Sequence, residues 1–378
     1  MLVLWLALIT TTGGQASVPV QPPQQDPASH ASLTHNQISQ IQTKAESGVA
    51  SAQEALGKAY EEGNGVPRDD VSAVRWYRKA ADQGNAAAED DLGVMYRLGQ
   101  GVEKNKEEAV RWYRKAAKHG NPQAMFNLGA SYYNGDGVNS DLNLADVWFL
   151  LAKDAGSEPA KDAVTRTATE LGVKSDYRAM LVIASMYEKG DELSKSDSAA
   201  VQWYRRAAEG DPGGKVRLAV MLVDGKGTAR DYTQALDFCK SAAQDRYAPG
   251  PFCVGYLYEH GLGMPADLKE AAKWYGEASA LGHTQATLRL AEMNVKGDGI
   301  PIDRAEAYFL YFSAYRQGSD DAKTQARALF KNLSKEETKS LEKKLRTRHL
   351  DPKSVFAAVE SDAPVDRSRV RLGPALGR

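Results

Sequence analysis

The chain has 378 residues, 42% hydrophobic and 26% charged, a soluble globular composition with room for two ordinary domains or one long array. A formal net charge of −1 leaves no overall field to recruit nucleic acid or acidic lipid. Two cysteines, Cys239 and Cys253, are too few for a disulfide scaffold.

Residues 2–9 (LVLWLALI) are apolar but far too few to span a bilayer. With Gly14 and Ala16 at a cleavage-like position they suit a signal peptide over 1–16, although no basic n-region precedes them. The expectation is export, periplasmic or secreted; an uncleaved segment would make the protein cytoplasmic. No Cys follows, so no lipid anchor is expected. Residues 17–35 are rich in Pro, Gln and Ser and are expected to be a disordered linker. From Asn36, ISQIQTKAESG forms a half-repeat, expected to cap the N-terminal end of an array.

The array begins near residue 50. AVRWYRKAA occurs at 73–81 and again at 109–117, with echoes at 200–208 and 271–279. Taking Leu56-Gly57 as the index pair, its counterparts are Leu92-Gly93, Leu128-Gly129, Ile183-Ala184, Leu218-Ala219, Val254-Gly255 and Leu290-Ala291. The steps are 36, 36, 55, 35, 36 and 36, so seven repeats run to about residue 321 with one insertion. Gly63, Gly99, Gly135, Gly190, Gly225, Gly261 and Gly297 form one column, just after an apolar segment of helical period, where a helix ends. Six residues on, Asp69, Asn105, Asp141, Ser196, Asp231, Asp267 and Asp303 supply N-caps for a second helix.

Two columns of that second helix are always alanine, from Ala73 to Ala307 and from Ala80 to Ala314. They lie seven apart and share a face. A column of the first helix is only Ala or Gly: Ala52, Ala88, Ala124, Ala179, Gly214, Gly250 and Ala286. Small residues let helix backbones approach, and Trp76, Trp112, Trp148, Trp203 and Trp274 are expected to plug the space between them. The phrase is thus the buried face of a packing helix rather than a catalytic site.

Ala52 through Ala81 and, with Asn105 at the Asp position, Ala88 through Ala117 follow the pattern A-x-x-x-L-G-x-x-Y-x-x-G-x-G-V-x-x-D-x-x-x-A-x-x-W-Y-x-K-A-A, and so resemble the Sel-one-like repeat, a relative of the tetratricopeptide repeat. The resemblance covers about residues 50–320. It departs at Ala184, Ala219 and Ala291, and at Phe238-Cys239, which replaces Trp-Tyr. It implies an all-α fold, an α-solenoid of about seven antiparallel helix pairs wound into a superhelix, that holds protein partners.

After repeat three, GSEPAK (156–161) matches GSDDAK (318–323) after repeat seven. Residues 158–177 are therefore read as an extra helix and connector that breaks the array, with a bend expected there, between repeats 1–3 (36–157 with the cap) and repeats 4–7 (178–321). Residues 322–356 read as closing helices, Ser334 and Glu337 forming a capping box. Residues 357–378 are expected to be a disordered tail, made mildly basic by Arg367, Arg369, Arg371 and Arg378.

The search for chemistry is sparse. The G-x-G loops follow helices, where a phosphate-binding loop needs a preceding strand. NGDGVNSD (134–141) lacks the alternating ligands and the terminal Glu of a calcium loop. No two of the six histidines are spaced for a helical metal site, and no nucleophile elbow is present. His119 and His283 lie near the ends of second helices, where imidazolium suits the dipole. No catalytic residue, cofactor or metal is expected. Cys239 and Cys253 are candidates for a single disulfide, two buried thiols being the alternative.

One face of the first helix points away from the core positions. In repeats one and two it is charged or mixed: Glu54, Lys58, Glu61, Asp90, Arg97. Later it is apolar: Phe126, Ala130, Tyr133; Val216, Val220, Val223; Phe252, Tyr256; Leu288, Val295. Either this stripe is an exposed groove for a partner peptide, or it is core between neighbouring helices. The expected function is a non-catalytic, exported interaction scaffold binding proteins or peptides on its concave face. No nucleic acid partner and no membrane span are expected, and the chain is expected to be monomeric. A cell-envelope hydrolase of β-lactamase or penicillin-binding type is the alternative from a different class.

Overall fold

The computed structural model describes residues 32–172 and 174–361. Nineteen helices and no strand occur among them. The segments read as signal peptide (1–16), most of the linker and most of the basic tail lie outside the described residues. No described helix is long and apolar enough to cross a membrane.

The chain divides into two compact halves at Ser196. The N-terminal half holds α1 (His35–Glu46) and then three helix pairs: α2 (Ala50–Glu62) with α3 (Asp70–Ala81), α4 (Ala86–Leu98) with α5 (Lys106–Lys118), and α6 (Pro122–Asn134) with α7 (Leu142–Asp154). A single helix, α8 (Glu158–Leu171), follows, and then α9 (Ser175–Lys189), the first helix of the fourth repeat. The C-terminal half opens with that repeat's second helix, α10 (Asp197–Ala207). Three pairs follow: α11 (Pro212–Asp224) with α12 (Tyr232–Gln244), α13 (Pro249–His260) with α14 (Leu268–Ala280), and α15 (Thr284–Lys296) with α16 (Arg304–Arg316). It closes with α17 (Asp320–Phe330), α18 (Lys335–Thr347) and α19 (Pro352–Glu360).

Helix ends sit where the columns place them. All seven glycines of the first column, Gly63 to Gly297, end a first helix in the left-handed region. Asp69, Asn105, Asp141, Asp231, Asp267 and Asp303 accept from free N–H groups at the start of the second. Both alanine columns of the second helix are almost wholly inaccessible, at 0–1% exposure, so a methyl group is the largest side chain those contacts hold.

The plugs differ from the expectation. Tyr77, Tyr113, Phe149, Tyr204 and Tyr275, the residues after the indoles, fill the tightest space at 0–1% exposure. Trp112, Trp148 and Trp203 are buried beside them, while Trp76 and Trp274 are only half-buried. The reason is the partner surface. The first-helix glycine lies twenty residues before the ring in four repeats, and there its missing side chain is what admits the ring. The indoles lie further out, covered by cations: Lys79 over Trp76 at 4.0 Å, Lys115 over Trp112 at 3.8 Å and Arg206 over Trp203 at 3.9 Å.

The insertion after the third repeat is α8, whereas the division into compact halves falls later, at Ser196 inside the fourth repeat. α8 starts 36 residues after α6, in the register of a first helix that has no second. Its Thr167 hydroxyl donates to Asp146 of α7, and α9 packs on α7 as well. At the ends, α1 begins at His35 with a Thr34–Gln37 capping box and buries Ile38 and Ala45. Ser334 and Glu337 form the second capping box. α19 runs to Glu360, into the segment from 357 read as disordered, because Val355 and Val359 bury themselves in the closing core.

Candidate partner-binding groove

On α11 the residues Leu218, Ala219, Met221 and Leu222 turn inward and are buried. Val216, Val220 and Val223 stand at i, i+4, i+7 on the other side. On α13, Val254, Gly255 and Leu257 are buried, and Phe252 and Tyr256 are one turn apart on the outer side. Gly250 lets α13 seat closely: a Cβ there would stand 2.5 Å from the backbone nitrogen of Ala243.

The five outward residues line one groove of about 460 Å³. Val220 is 39% and Tyr256 41% exposed, and Tyr247, from the loop before α13, adds a third exposed apolar surface at 37%. Arg217, Asp224 and His283 supply its polar edge. The groove therefore has an apolar floor with a few polar groups at its edge.

His283 corrects an expectation. It is the N-cap of α15, not a cation at a helix C-terminus: its Nδ1 accepts from the Ala286 amide at 3.2 Å. Burial holds its pKa below the ordinary value, and accepting at Nδ1 requires the neutral ring. That ring stacks on Phe252 at 4.3 Å, fixing the phenyl in the groove wall. His119 does cap the C-terminal end of α5 and pairs with Glu89 at 2.7 Å.

Cys239 of α12 and Cys253 of α13 are joined by a disulfide. Cys239 sits where other repeats place the buried tyrosine, opposite Ala219 rather than glycine, and is wholly buried. Cys253 reaches the groove wall. The bond ties repeat five to repeat six beneath the cleft.

The same stripe in repeat three is not a surface. Phe126, Ala130 and Tyr133 are 2%, 0% and 4% exposed. Phe126 packs on Phe149 with ring centroids 5.4 Å apart, and the Tyr133 hydroxyl donates to Glu170 of α8 at 2.5 Å. Glu170 of the inserted helix holds the Tyr133 hydroxyl at the end of α6, and all three residues are core rather than the expected partner contacts. Tyr247 was missed because it lies in a connector, outside any helical period. Among the described residues no group of three or more His, Cys, Asp or Glu is placed to hold a metal ion.

The Sel1 repeat profile matches residues 50–85, 86–121, 122–157, 178–212, 214–247, 254–283 and 284–319. The chain is 26% identical over 163 residues to the ERAD-associated E3 ubiquitin-protein ligase component HRD3A of Arabidopsis thaliana, covering 35% of this chain and 24% of that protein. It is 31% identical over 102 residues to the chitin synthase regulator SKT5 of Saccharomyces cerevisiae, covering 26% and 15%. The matched stretches thus span a quarter or less of these curated relatives. Among solved structures, a protective antigen of uropathogenic Escherichia coli with an SLR fold is 32% identical, covering 82% of this chain and 70% of that one, with a TM-score of 0.41.

Proposed function

The chain belongs to the Sel1 repeat family, and from that premise we propose that it is a non-catalytic adaptor whose groove on α11 and α13 captures an apolar segment of a partner protein. One observation carries the reading: Val216, Val220, Val223, Phe252 and Tyr256, from two successive repeats, converge on one open cleft. Contiguous exposed apolar surface of this kind costs solvation unless something covers it. Relatives bearing the names of a ligase component and a synthase regulator support an adaptor over the hydrolase alternative.

The adaptor works, in this reading, outside the cytoplasm. The Cys239–Cys253 disulfide supports an oxidising compartment, and the apolar stretch 2–9 supports export. Amino-terminal sequencing of the mature protein tests the second point: an intact Met1 would count against it.

The groove is tested by photo-crosslinking in the native host. A photoreactive residue at Tyr256 should yield a discrete adduct, mapped to an apolar segment of one partner. The same residue at Val71, exposed in the other half, should not. Identical adducts from both positions, or none from Tyr256, would overturn the reading.

A further inference from the structure

We propose that a second pocket, in the N-terminal half and independent of the groove, binds a primary ammonium or guanidinium group. The pocket is about 340 Å³ and lies between the first helices α2, α4 and α6 and the start of α8. Its walls carry the carboxylates of Glu54, Asp90 and Asp91 against one cation, Lys58.

One buried hydroxyl there lacks a hydrogen-bond partner, and one buried carboxyl has a single cation acting on it. Asp91 is 7% exposed, and Lys58 is the cation that acts on its carboxyl. Ser157 is 6% exposed, and its hydroxyl has no partner. Ser157 stands at the N-cap of α8, where a serine ordinarily accepts from the helix backbone. Its counterparts at 36-residue steps do so: Asn85 accepts from the Ala88 amide and Asn121 from the Ala124 amide, each at 2.9 Å. Ser157 makes no such bond and lines the pocket instead.

Buried carboxylates are normally paired, and buried hydroxyls normally bonded. Asp90 accepts from the Asn127 side chain at 3.0 Å, and the Arg97 charge also acts on it. Burial raises both aspartates, Asp90 to about 7 and Asp91 well above the ordinary range. A seated cation adds its charge to that of Lys58 and brings N–H donors for the Asp91 carboxyl and the Ser157 oxygen. An anion would meet three acidic side chains, and an apolar group would leave the Ser157 hydroxyl unbonded.

The test uses the full chain and probes differing in one group: the N-acetyl, N-methylamide derivatives of lysine, arginine, norleucine and glutamate, with 1,5-diaminopentane as a free amine. Backbone amide NMR shifts at Asp91, Gln123 and Ser157 report occupancy. Saturable shifts with lysine or arginine but not norleucine or glutamate are expected. Tighter binding of these amides than of the diamine places the cation on a polypeptide, and the reverse order makes it a free amine; either upholds the site. Asp91→Asn should weaken binding about tenfold. Ser157→Ala breaks no cap bond, should weaken it about threefold, and stands in if Asp91→Asn fails to fold. No saturable shift with any cation, equal binding of norleucine or glutamate, or unchanged affinity in both variants would overturn the proposal.

Discussion

The ring of Tyr77 occupies the space that a side chain on Gly57 would need: a Cβ there would stand 2.7 Å from Tyr77 Cδ1. The ring is held from its other end, where its hydroxyl donates to Glu61 at 2.5 Å. It therefore cannot slide outward without losing this part-buried hydrogen bond. Gly93 with Tyr113, Gly129 with Phe149 and Gly255 with Tyr275 repeat the contact.

Gly57→Ala should therefore destabilise the fold although alanine is the better helix former. Overpacking costs about 1–3 kcal/mol, and helix propensity returns about 1 kcal/mol. The net expectation is a loss of up to about 2 kcal/mol, read from urea unfolding. A variant as stable as the parent would show that Tyr77 is not confined by Gly57.

Much of this was legible because it is local. A glycine that ends a helix and an aspartate that caps the next act within a few residues, so Gly63 and Asp69 declare themselves at fixed spacing. The alanine columns declare a shared face by period alone. What lay twenty residues away across a helix pair did not: Trp76 and Tyr77 are adjacent aromatics, and only the hairpin geometry decides which one meets Gly57. The groove failed in the same way at repeat three. Phe126 and Ala130 hold the same places as Phe252 and Tyr256, but both are buried, Phe126 against Phe149. Ser157 read as an ordinary helix start, and nothing in its sequence neighbours signals an unused hydroxyl.

The disulfide gives a second expectation. Cys239 and Cys253 are 14 residues apart in sequence, and closing a loop of that size contributes roughly 3 kcal/mol through the unfolded chain. Replacing both by serine should cost about 2–3 kcal/mol in chemical unfolding. Thiol titration of the unfolded, unreduced protein should find no reactive thiol; two would exclude the bond.

Buried carboxyls set a pH dependence. Asp90 and Asp146 are raised by burial from 3.8 to about 7 and about 6. Between 3.8 and these values the folded chain holds protons that the unfolded chain has released, so acid favours folding in that window. The contribution is complete below about pH 4 and is lost as pH rises through about 6 and then about 7. Asp90→Asn keeps an oxygen for Asn127 and removes the charge. It should flatten the fall in stability between roughly pH 5 and pH 8, by on the order of 1–3 kcal/mol at the alkaline end. A wild-type stability that rises steadily across that interval while Asp90→Asn follows it unchanged would refute the assignment.

The two ends of the apolar stripe should part under the same chemistry. Val220→Asp changes a residue 39% exposed on the groove, and surface changes of this kind stay within about 0.5 kcal/mol. Phe126→Asp puts a carboxylate where 2% of the side chain is accessible and Phe149 is the neighbour. Burying that charge unpaired, together with the lost ring, costs several kcal/mol, on the order of the stability of a whole domain. Circular dichroism should show Val220→Asp with parental helicity and unfolding midpoint, and Phe126→Asp partly unfolded at the same temperature. Loss of structure in Val220→Asp would make α11's outer face core, as α6's is, and would remove the groove as a place for a partner.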